Sequence, residues 1–280
     1  MATVASPDIS QVVVPVDGSR FAENAIEPGR ALAERLHVSM TVITVVPPGR
    51  LEASAGPVPG ALVLVGDDAG DTIGEYADDV EGSVVCMATH GRGWPASAFI
   101  GSAASMALAR SERPMVLVGP GCQPGWTLEG AVLVAAVDGQ AGSELMLPVA
   151  ARWASMLGIG LTIVTVAEPV PPPLRPQGAH PLHGLHGDPQ AYLDKLVVSL
   201  ADFEGPISGQ VIWDPVGPAV GLRSFIGEPA GGDGSAHALL AVSSHGRSRR
   251  PGIPLGRSAL HIVHESPVPC LIVPLLADGS

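Results

Sequence analysis

Short unbroken runs of apolar residues alternate along this chain with segments in which apolar residues recur every three or four positions. Runs of about four to eight apolar residues are typical of buried strands, and the longer spacing is typical of amphipathic helices. We predict strands at 11–16, 40–46, 61–65, 83–88, 114–118, 131–137, 161–166, 207–213, 238–242 and 269–273. Helices are predicted at 20–36, 69–79, 103–110, 141–157, 189–203, 217–226 and 259–264. This alternation predicts an α/β protein with two parallel sheets built from β–α–β units.

The second half of the chain repeats a feature of the first. An apolar run ends at His90-Gly91, and nine residues later another glycine, Gly101, precedes a predicted helix. The same arrangement recurs 155 positions further on, at Gly246 and Gly256. Glycines let backbone N–H groups approach a ligand closely, and a helix N-terminus favours negative charge. The spacing therefore predicts a tandem repeat in which each copy has a glycine-containing loop and a helix N-terminus suited to binding a phosphate.

The two copies are predicted to be separate domains. Residues 119–130 hold four glycines and two prolines without apolar periodicity, which is typical of a connecting segment. We therefore predict a first domain at 1–120, a linker at 121–130 and a second domain at 131–280.

The first domain is shorter than the second. Asp17 and Gly91 lie 74 positions apart, whereas Asp138 and Gly246 lie 108 positions apart. The missing 34 residues fall between the second and third strands, where residues 47–60 are long enough for a crossover without a helix. One face of the first sheet is then expected to lack a covering helix. The face could be covered by residues 47–60 folding back, by the Pro-rich residues 167–187 or by a second copy of the chain, and of these we expect the second copy, which would make a homodimer.

Composition and charge limit the kinds of partner and cellular compartment expected for this chain. Apolar residues make up 46% of the chain and aromatic residues only 4%, and the net charge is −12. Negative charge argues against a nucleic-acid partner. No apolar run reaches the roughly 18 residues that span a bilayer, and the first ten residues do not look like a signal peptide. Three cysteines, odd in number and widely spaced, indicate reduced thiols. We expect a cytoplasmic protein without a membrane partner.

Four short motifs of the first half have counterparts in the second: Val-Val-Val-Pro-Val-Asp-Gly-Ser (12–19), Ala-Thr-His-Gly (88–91), Gly-Ser (101–102) and Pro-Met-Val-Leu-Val (114–118). On these motifs rests a resemblance to a tandem universal stress protein. It implies two open parallel five-stranded sheets with flanking helices, Rossmann-like and related to nucleotide-binding α-hydrolase folds. It also implies that the repeats pair through their last strands with pseudo-twofold symmetry. Members of this family divide into ATP-binding and non-binding branches.

In the binding branch, the resemblance implies a site for ATP, ADP or AMP, with Mg²⁺ as a companion of the phosphates. Adenine would face Pro15, Asp17 and Val45. Ribose and phosphates would face Ala88, Gly91, Gly101, Ser102 and Ala103. Two departures favour the first repeat over the second as the binding repeat: Arg257 follows the second glycine, and Ala136 stands where the first repeat has proline. A third, Ala88 in place of a glycine, crowds the first site slightly.

Several alternatives stay open at this stage. Asp17 suits an adenine contact or a helix N-cap equally well. The chain could be a nucleotide-binding regulatory protein, or a stress-linked interaction module of the same fold without a ligand. An enzyme is the weaker hypothesis, with slow ATP hydrolysis at most. The chain has no Ser-Gly-Gly-x-Asp-Ser loop after its first strand and no lysine after Gly101 to complete a P-loop.

Overall fold

A computed structural model describes residues 9–49, 58–90, 100–167, 188–227, 237–244 and 255–275 of the chain. The strands in these ranges are β1 Gln11–Pro15, β2 Ser39–Val46, β3 Leu62–Val65, β4 Ser83–Ala88, β5 Met115–Val118, β6 Val132–Ala136, β7 Gly160–Ala167, β8 Ile207–Trp213, β9 Ala238–Ser243 and β10 Cys270–Val273. The helices are α1 Arg20–Glu23, α2 Ile26–Leu36, α3 Ala69–Asp79, α4 Ser102–Arg110, α5 Ala141–Glu144, α6 Leu147–Leu157, α7 Pro189–Ser199, α8 Pro218–Gly227 and α9 Arg257–Glu265. The predicted α/β alternation is confirmed.

All ten strands form a single sheet in the order β3-β2-β1-β4-β5-β10-β9-β6-β7-β8. Strands within each half are parallel, as predicted. The halves join through their last strands, which pair antiparallel with Leu117 opposite Cys270 and Met115 opposite Ile272. This pairing was predicted, and it turns two open sheets into one continuous core with an approximate twofold relation between its halves.

The two halves correspond at an offset of 121 positions through their second strands. Gln11 pairs with Ser39 in the first half, and Val132 pairs with Gly160 in the second. A residue on β1 or β2 can therefore be compared directly with its counterpart on β6 or β7.

The helix after each first strand is broken, which the apolar spacing did not predict. In the first half, α1 ends before Asn24 and α2 begins at Ile26. Pro28 has no N–H to donate to the Asn24 carbonyl four residues earlier, and its ring crowds that carbonyl. In the second half Pro148 has the same effect on the Glu144 carbonyl, between α5 and α6. Proline chemistry thus explains both breaks.

Helices α2 and α6 meet across the middle of the sheet. The Arg35 Nε donates a hydrogen bond to the Leu157 carbonyl at 2.6 Å, and its guanidinium reaches the Gly158 carbonyl at 3.1 Å. These carbonyls lie at the C-terminal end of α6. The last carbonyls of a helix have no N–H donor within the helix itself. Arg35 therefore caps a helix of the other half.

The segment between the halves packs against the second half. Residues 119–130 contain neither helix nor strand. Trp126 within it is only 7% exposed and donates its indole N–H to the Ala238 carbonyl at 2.7 Å. The domain and linker boundaries given above remain a prediction.

A helix separates β7 from β8, namely α7, whereas the described residues between β2 and β3 (47–49 and 58–61) contain none. Residues 50–57 lie outside the described ranges. No helix in the described part of the chain has the length and apolarity needed to cross a membrane.

Candidate functional site

Each half of the sheet has one point where the strand order reverses. In the first half β1 lies between β2 and β4, and the chain runs outward from it in both directions. In the second half β6 lies in the same way between β7 and β9. Ligands of open α/β sheets bind beyond the carboxyl ends of the strands at such a switch point. We call the two points the first site and the second site.

The residues predicted to face adenine lie together at the carboxyl edge around the first site. Pro15 ends β1 and is buried, Asp17 follows it and is half-buried, and Val45 lies near the end of β2. The backbone N–H of Val16 donates to the Ile43 carbonyl at 2.9 Å, which keeps the ends of β1 and β2 side by side. Ala88 ends β4 on the other side of β1 and is half-buried.

Gly101 fixes the start of α4 against the end of β4. Its backbone N–H donates to the Thr89 carbonyl at 2.6 Å, and a Cβ added to it would lie 3.1 Å from that oxygen. Only a residue without a side chain fits this approach easily. Thr89 is itself held, because its N–H donates to the Val118 carbonyl at 3.0 Å.

The first turn of α4 therefore opens toward the first site. Gly101 is the N-cap residue and has no side chain to accept from the helix N–H groups. The N–H groups of Ser102 and Ala103 are among those that have no partner inside the helix. Ser102 is exposed and Ala103 half-buried. These donors, together with the positive end of the helix dipole, are suited to an anion.

The second half reproduces this anchor. The Gly256 N–H donates to the Ser244 carbonyl at 2.8 Å, and Gly256 is the N-cap of α9. Ser244 corresponds to Thr89 at the repeat offset of 155. In the described residues, the start of α9 is therefore held to the end of β9 as the start of α4 is held to the end of β4.

Asp17 is not a helix N-cap. Ser19 is, since its hydroxyl accepts from the Ala22 N–H at 3.2 Å. The Asp17 carboxylate instead accepts from the Ser19 N–H at 2.9 Å and so closes the turn before α1, in which Gly18 has a φ of 75°. Of the two alternatives for Asp17, the N-cap is therefore wrong, and the adenine contact remains a prediction.

The corresponding carboxylate in the second site is engaged by a neighbouring hydroxyl. Asp138 accepts from the Ser143 hydroxyl at 2.6 Å and from the Gln140 N–H at 3.1 Å. Ser143 is buried. Its counterpart in the first half is Ala22, which has no hydroxyl to offer Asp17.

A tyrosine also reaches the second site. Tyr192 on α7 donates its hydroxyl to Glu144 at 2.9 Å. Partial burial, the Glu144 carboxylate and the charge of nearby Asp138 together raise the pKa of this phenol, while the Gly139 backbone opposes them. Tyr192 therefore lies over the Asp138–Gly139 turn as a neutral donor. The first half has no α7 among its described residues and so no equivalent of this side chain.

The cysteines do not supply a nucleophile. All three are free thiols. Burial raises the pKa of Cys122 and of Cys270 to about 12 and raises the pKa of Cys86 as well. A thiol that stays protonated at neutral pH reacts poorly.

The structure thus brings Pro15, Asp17, Val45 and Ala88 to one edge of the sheet, with Gly101, Ser102 and Ala103 at the helix start beside it. Gly91 lies outside the described residues, as does its counterpart Gly246. Sequence reasoning did not identify Thr89 as the residue that holds Gly101. The sequence does contain a hint, because a hydroxyl residue occurs at the same place in both repeats. Sequence reasoning also missed Tyr192, because no spacing shows that a helix side chain crosses to another element.

The fold is that of a tandem α/β protein whose two parallel half-sheets join edge to edge. Each half-sheet has, near its switch point, a helix N-terminus suited to binding an anion. The model of the universal stress protein family matches residues 50–119. A universal stress protein from Archaeoglobus fulgidus DSM 4304 aligns over 95% of this chain and 97% of its own, with a TM-score of 0.61 at 16% identity. A functionally unknown protein from Pseudomonas aeruginosa PAO1 aligns over 96% and 94%, with a TM-score of 0.52 at 12% identity.

A universal stress protein in complex with cAMP aligns with 51% of this chain and 95% of its own, at 20% identity and a TM-score of 0.39, which is too distant to inform on a ligand here. A search of curated sequences finds no match. The family match falls in the first repeat, and the fold likeness extends over both. Residues 50–119 thus match the universal stress protein family, and the fold of both repeats is similar to that of a solved universal stress protein, in line with the resemblance seen in the sequence.

Proposed function

We propose that the chain is a cytoplasmic regulatory protein of the stress response that binds an adenine nucleotide (ATP, ADP or AMP) in its first site. The observation that carries the proposal is the Gly101 anchor, where a residue without a side chain holds the first turn of α4 at the end of β4. Phosphates suit this turn because its N–H groups and the helix dipole favour negative charge. Mg²⁺ enters the proposal as a companion of ATP, held chiefly by the phosphates.

The adenine end of the proposed site uses the residues after β1. Pro15 and Val45 offer an apolar surface, and Asp17 offers a carboxylate that a ring amino group can reach. Asp17 is half-buried and already oriented by the Ser19 N–H. This orientation supports a ligand contact because little side-chain freedom remains to be lost on binding.

The choice of the first site over the second rests on what occupies each one. Ser143 engages the Asp138 carboxylate, and Tyr192 with Glu144 lies over the turn beside it. The first half has Ala22 in place of that serine. A nucleotide entering the second site would have to displace hydrogen bonds that the first site does not make with these groups.

Isothermal titration with ATP and AMP tests the proposal with a matched pair of variants. Gly101→Val places a side chain against the Thr89 carbonyl and should abolish binding at the first site. Gly256→Val changes the equivalent anchor of the second half and should leave affinity unchanged. If Gly101→Val melts too low, Gly101→Ala replaces it with a smaller perturbation.

Two results would contradict the proposal. Binding that survives Gly101→Val and is lost in Gly256→Val would place the ligand in the second half. A parent chain that binds no adenine nucleotide would instead favour the interaction module of the same fold.

A further inference from the structure

The C-terminal end of α9, which belongs to the second half, lies beside the first site. The antiparallel pairing of β5 and β10 brings the start of β10, which follows α9, next to the carboxyl end of β5. Since β5 neighbours β4, the last turn of α9 comes to the same edge of the sheet as Thr89 and Gly101.

Two glycines of the segment that follows β5 make this approach close. A Cβ added to Gly119 would lie 2.0 Å from the Val263 carbonyl oxygen, so no other residue fits there without a backbone shift. A Cβ added to Gly121 would lie 2.9 Å from the His264 carbonyl oxygen and 3.0 Å from that of Ser266. The loop after β5 is thus built around the end of α9.

A pair of histidines connects the two halves at this point. His90 immediately precedes Gly91. Its ring lies edge-on to the ring of His264, with 6.1 Å between the ring centres. The Nδ1 of His90 also lies 2.7 Å from the Thr89 hydroxyl, so the ring is oriented by the residue whose carbonyl anchors Gly101. Both imidazoles are half-buried.

The contact breaks the twofold relation between the halves. At the offset of 155, the counterpart of His264 is Ala109 on α4, and the counterpart of Gly119 is Pro274. Ala109 is exposed. The imidazole contributed from the other half is therefore present at the first site and has no equivalent at the second.

Hydrogen-bond chemistry explains why an imidazole suits this place. The C-terminal end of a helix carries partial negative charge, which would repel a phosphate at the nearby start of α4. A histidine in the last turn supplies an N–H donor to an anion at this place, whatever its tautomer. Glu265, the next residue, is paired with Arg223 on α8 and so adds little further negative charge.

Building on the proposed function, we infer that the second half completes the nucleotide site of the first, and that His264 is a specificity residue that contacts the phosphates of the bound nucleotide. The inference predicts that His264 distinguishes a nucleotide from a nucleoside, since adenosine has the base and ribose but no phosphate.

Titration of the full chain with adenosine, AMP and ATP tests this. His264→Ala should raise the Kd for ATP about tenfold, the order expected for a lost charge-assisted hydrogen bond, and change that for adenosine less than twofold. His264→Lys should restore most of the ATP affinity because it keeps an N–H donor for the phosphates. His261→Ala, one turn earlier and exposed on the same helix, is the matched control and should change nothing.

The outcomes separate the inference from the proposed function. Equal loss of adenosine and ATP affinity in His264→Ala would mean a structural role and overturn the inference alone. Unchanged ATP affinity in that variant would also overturn it, while leaving Gly101-dependent binding in place. A parent chain that binds none of the three ligands would overturn the proposed function and this inference together.

Discussion

The second strands of the two halves carry similar residues in different surroundings. On the side of the sheet that faces α2, three residues of β2 are half-buried, namely Met40, Val42 and Val46. Their counterparts on β7 are at most 1% exposed, namely Leu161, Ile163 and Ala167. The sheet, register and offset are the same, so the difference comes from what lies above the strands.

Helix α7 is the source of the difference. Its Leu193 is fully buried, and a Cβ added to Gly209 on β8 would lie 2.9 Å from the Leu193 Cβ. The same helix carries Tyr192 to the second site. One helix therefore both buries the outer strands of the second half and fills its ligand edge. The comparison teaches that one additional helix accounts both for the deeper burial of β7 and for a tyrosine at the second site that has no counterpart among the described residues of the first half.

The largest expected effect on the unfolding free energy lies in the contact between the first strand and the long helix after it, which the two halves pack differently. A Cβ added to Gly29 on α2 would lie 2.5 Å from a methyl carbon of Val14, whereas the second half has Ala150 and Ala135 at these places. Gly29→Ala should lower the free energy of unfolding by about 1–3 kcal/mol, because the branched Val14 cannot yield. Urea unfolding measures the loss.

The double variant with Val14→Ala and Gly29→Ala copies the packing of the second half and should recover most of this loss. Its alanine also suits a helix interior better than glycine. Ala150→Gly is the control in the second half and should cost about 1 kcal/mol through helix propensity. A Gly29→Ala variant as stable as the parent would contradict the packing argument.

A smaller effect is expected at the paired aspartates. Asp138→Ala removes two hydrogen bonds, from the Ser143 hydroxyl and the Gln140 N–H, and should cost about 1–2 kcal/mol of unfolding free energy, because the buried hydroxyl keeps the Gln140 carbonyl as an acceptor at 2.9 Å. Asp17→Ala removes a turn hydrogen bond to Ser19 and should cost about 0.5–1.5 kcal/mol. Thermal melting compares the two variants.

In nucleotide titration we expect the opposite order for the loss of ATP affinity in these two variants. Asp17→Ala should weaken ATP binding, whereas Asp138→Ala should not. A fall in the melting temperature of Asp17→Ala without a change in affinity would reduce Asp17 to a turn residue and remove it from the proposed adenine contact.

The fold was largely predictable because it depends on local pattern. Runs such as 84–88 are apolar throughout, since both faces of a central parallel strand are buried. The repeat also let each element of one half be checked against its counterpart in the other. The helix breaks before Pro28 and Pro148 were missed, although proline chemistry at these positions was visible in the sequence.

The site was predictable only in part, for a physical reason. Gly101 and its spacing are a local signal, because a close backbone approach demands glycine. The His90–His264 and Tyr192–Glu144 contacts join residues far apart in the chain. Nothing in a single sequence shows which helix end or helix face will arrive at a given strand end, so these partners required the structure.

The smallest effect on stability is expected at the face of β2 and β3 over which the described residues of the first half place no counterpart of α7. We propose that a second copy of the chain packs on this face as a homodimer. Val63 on the edge strand β3 is half-buried and pairs with Thr44, on the side that faces α2. Its counterpart Val211 lies on β8 and packs against the core of the second half.

Val63→Glu should change the unfolding free energy of the isolated chain by no more than about 0.5 kcal/mol, because Val63, unlike Val211, is not among the described residues that pack against the core. It should nevertheless halve the mass measured by light scattering at micromolar concentration, because a carboxylate on each copy would be buried in the shared face. Val211→Glu, the matched control, should destabilise the fold through the same burial cost without affecting association at the first half. A parent chain that stays monomeric across a dilution series would rule out the homodimer, and the half-buried face of β2 would then be a solvent-facing surface that the shorter half tolerates.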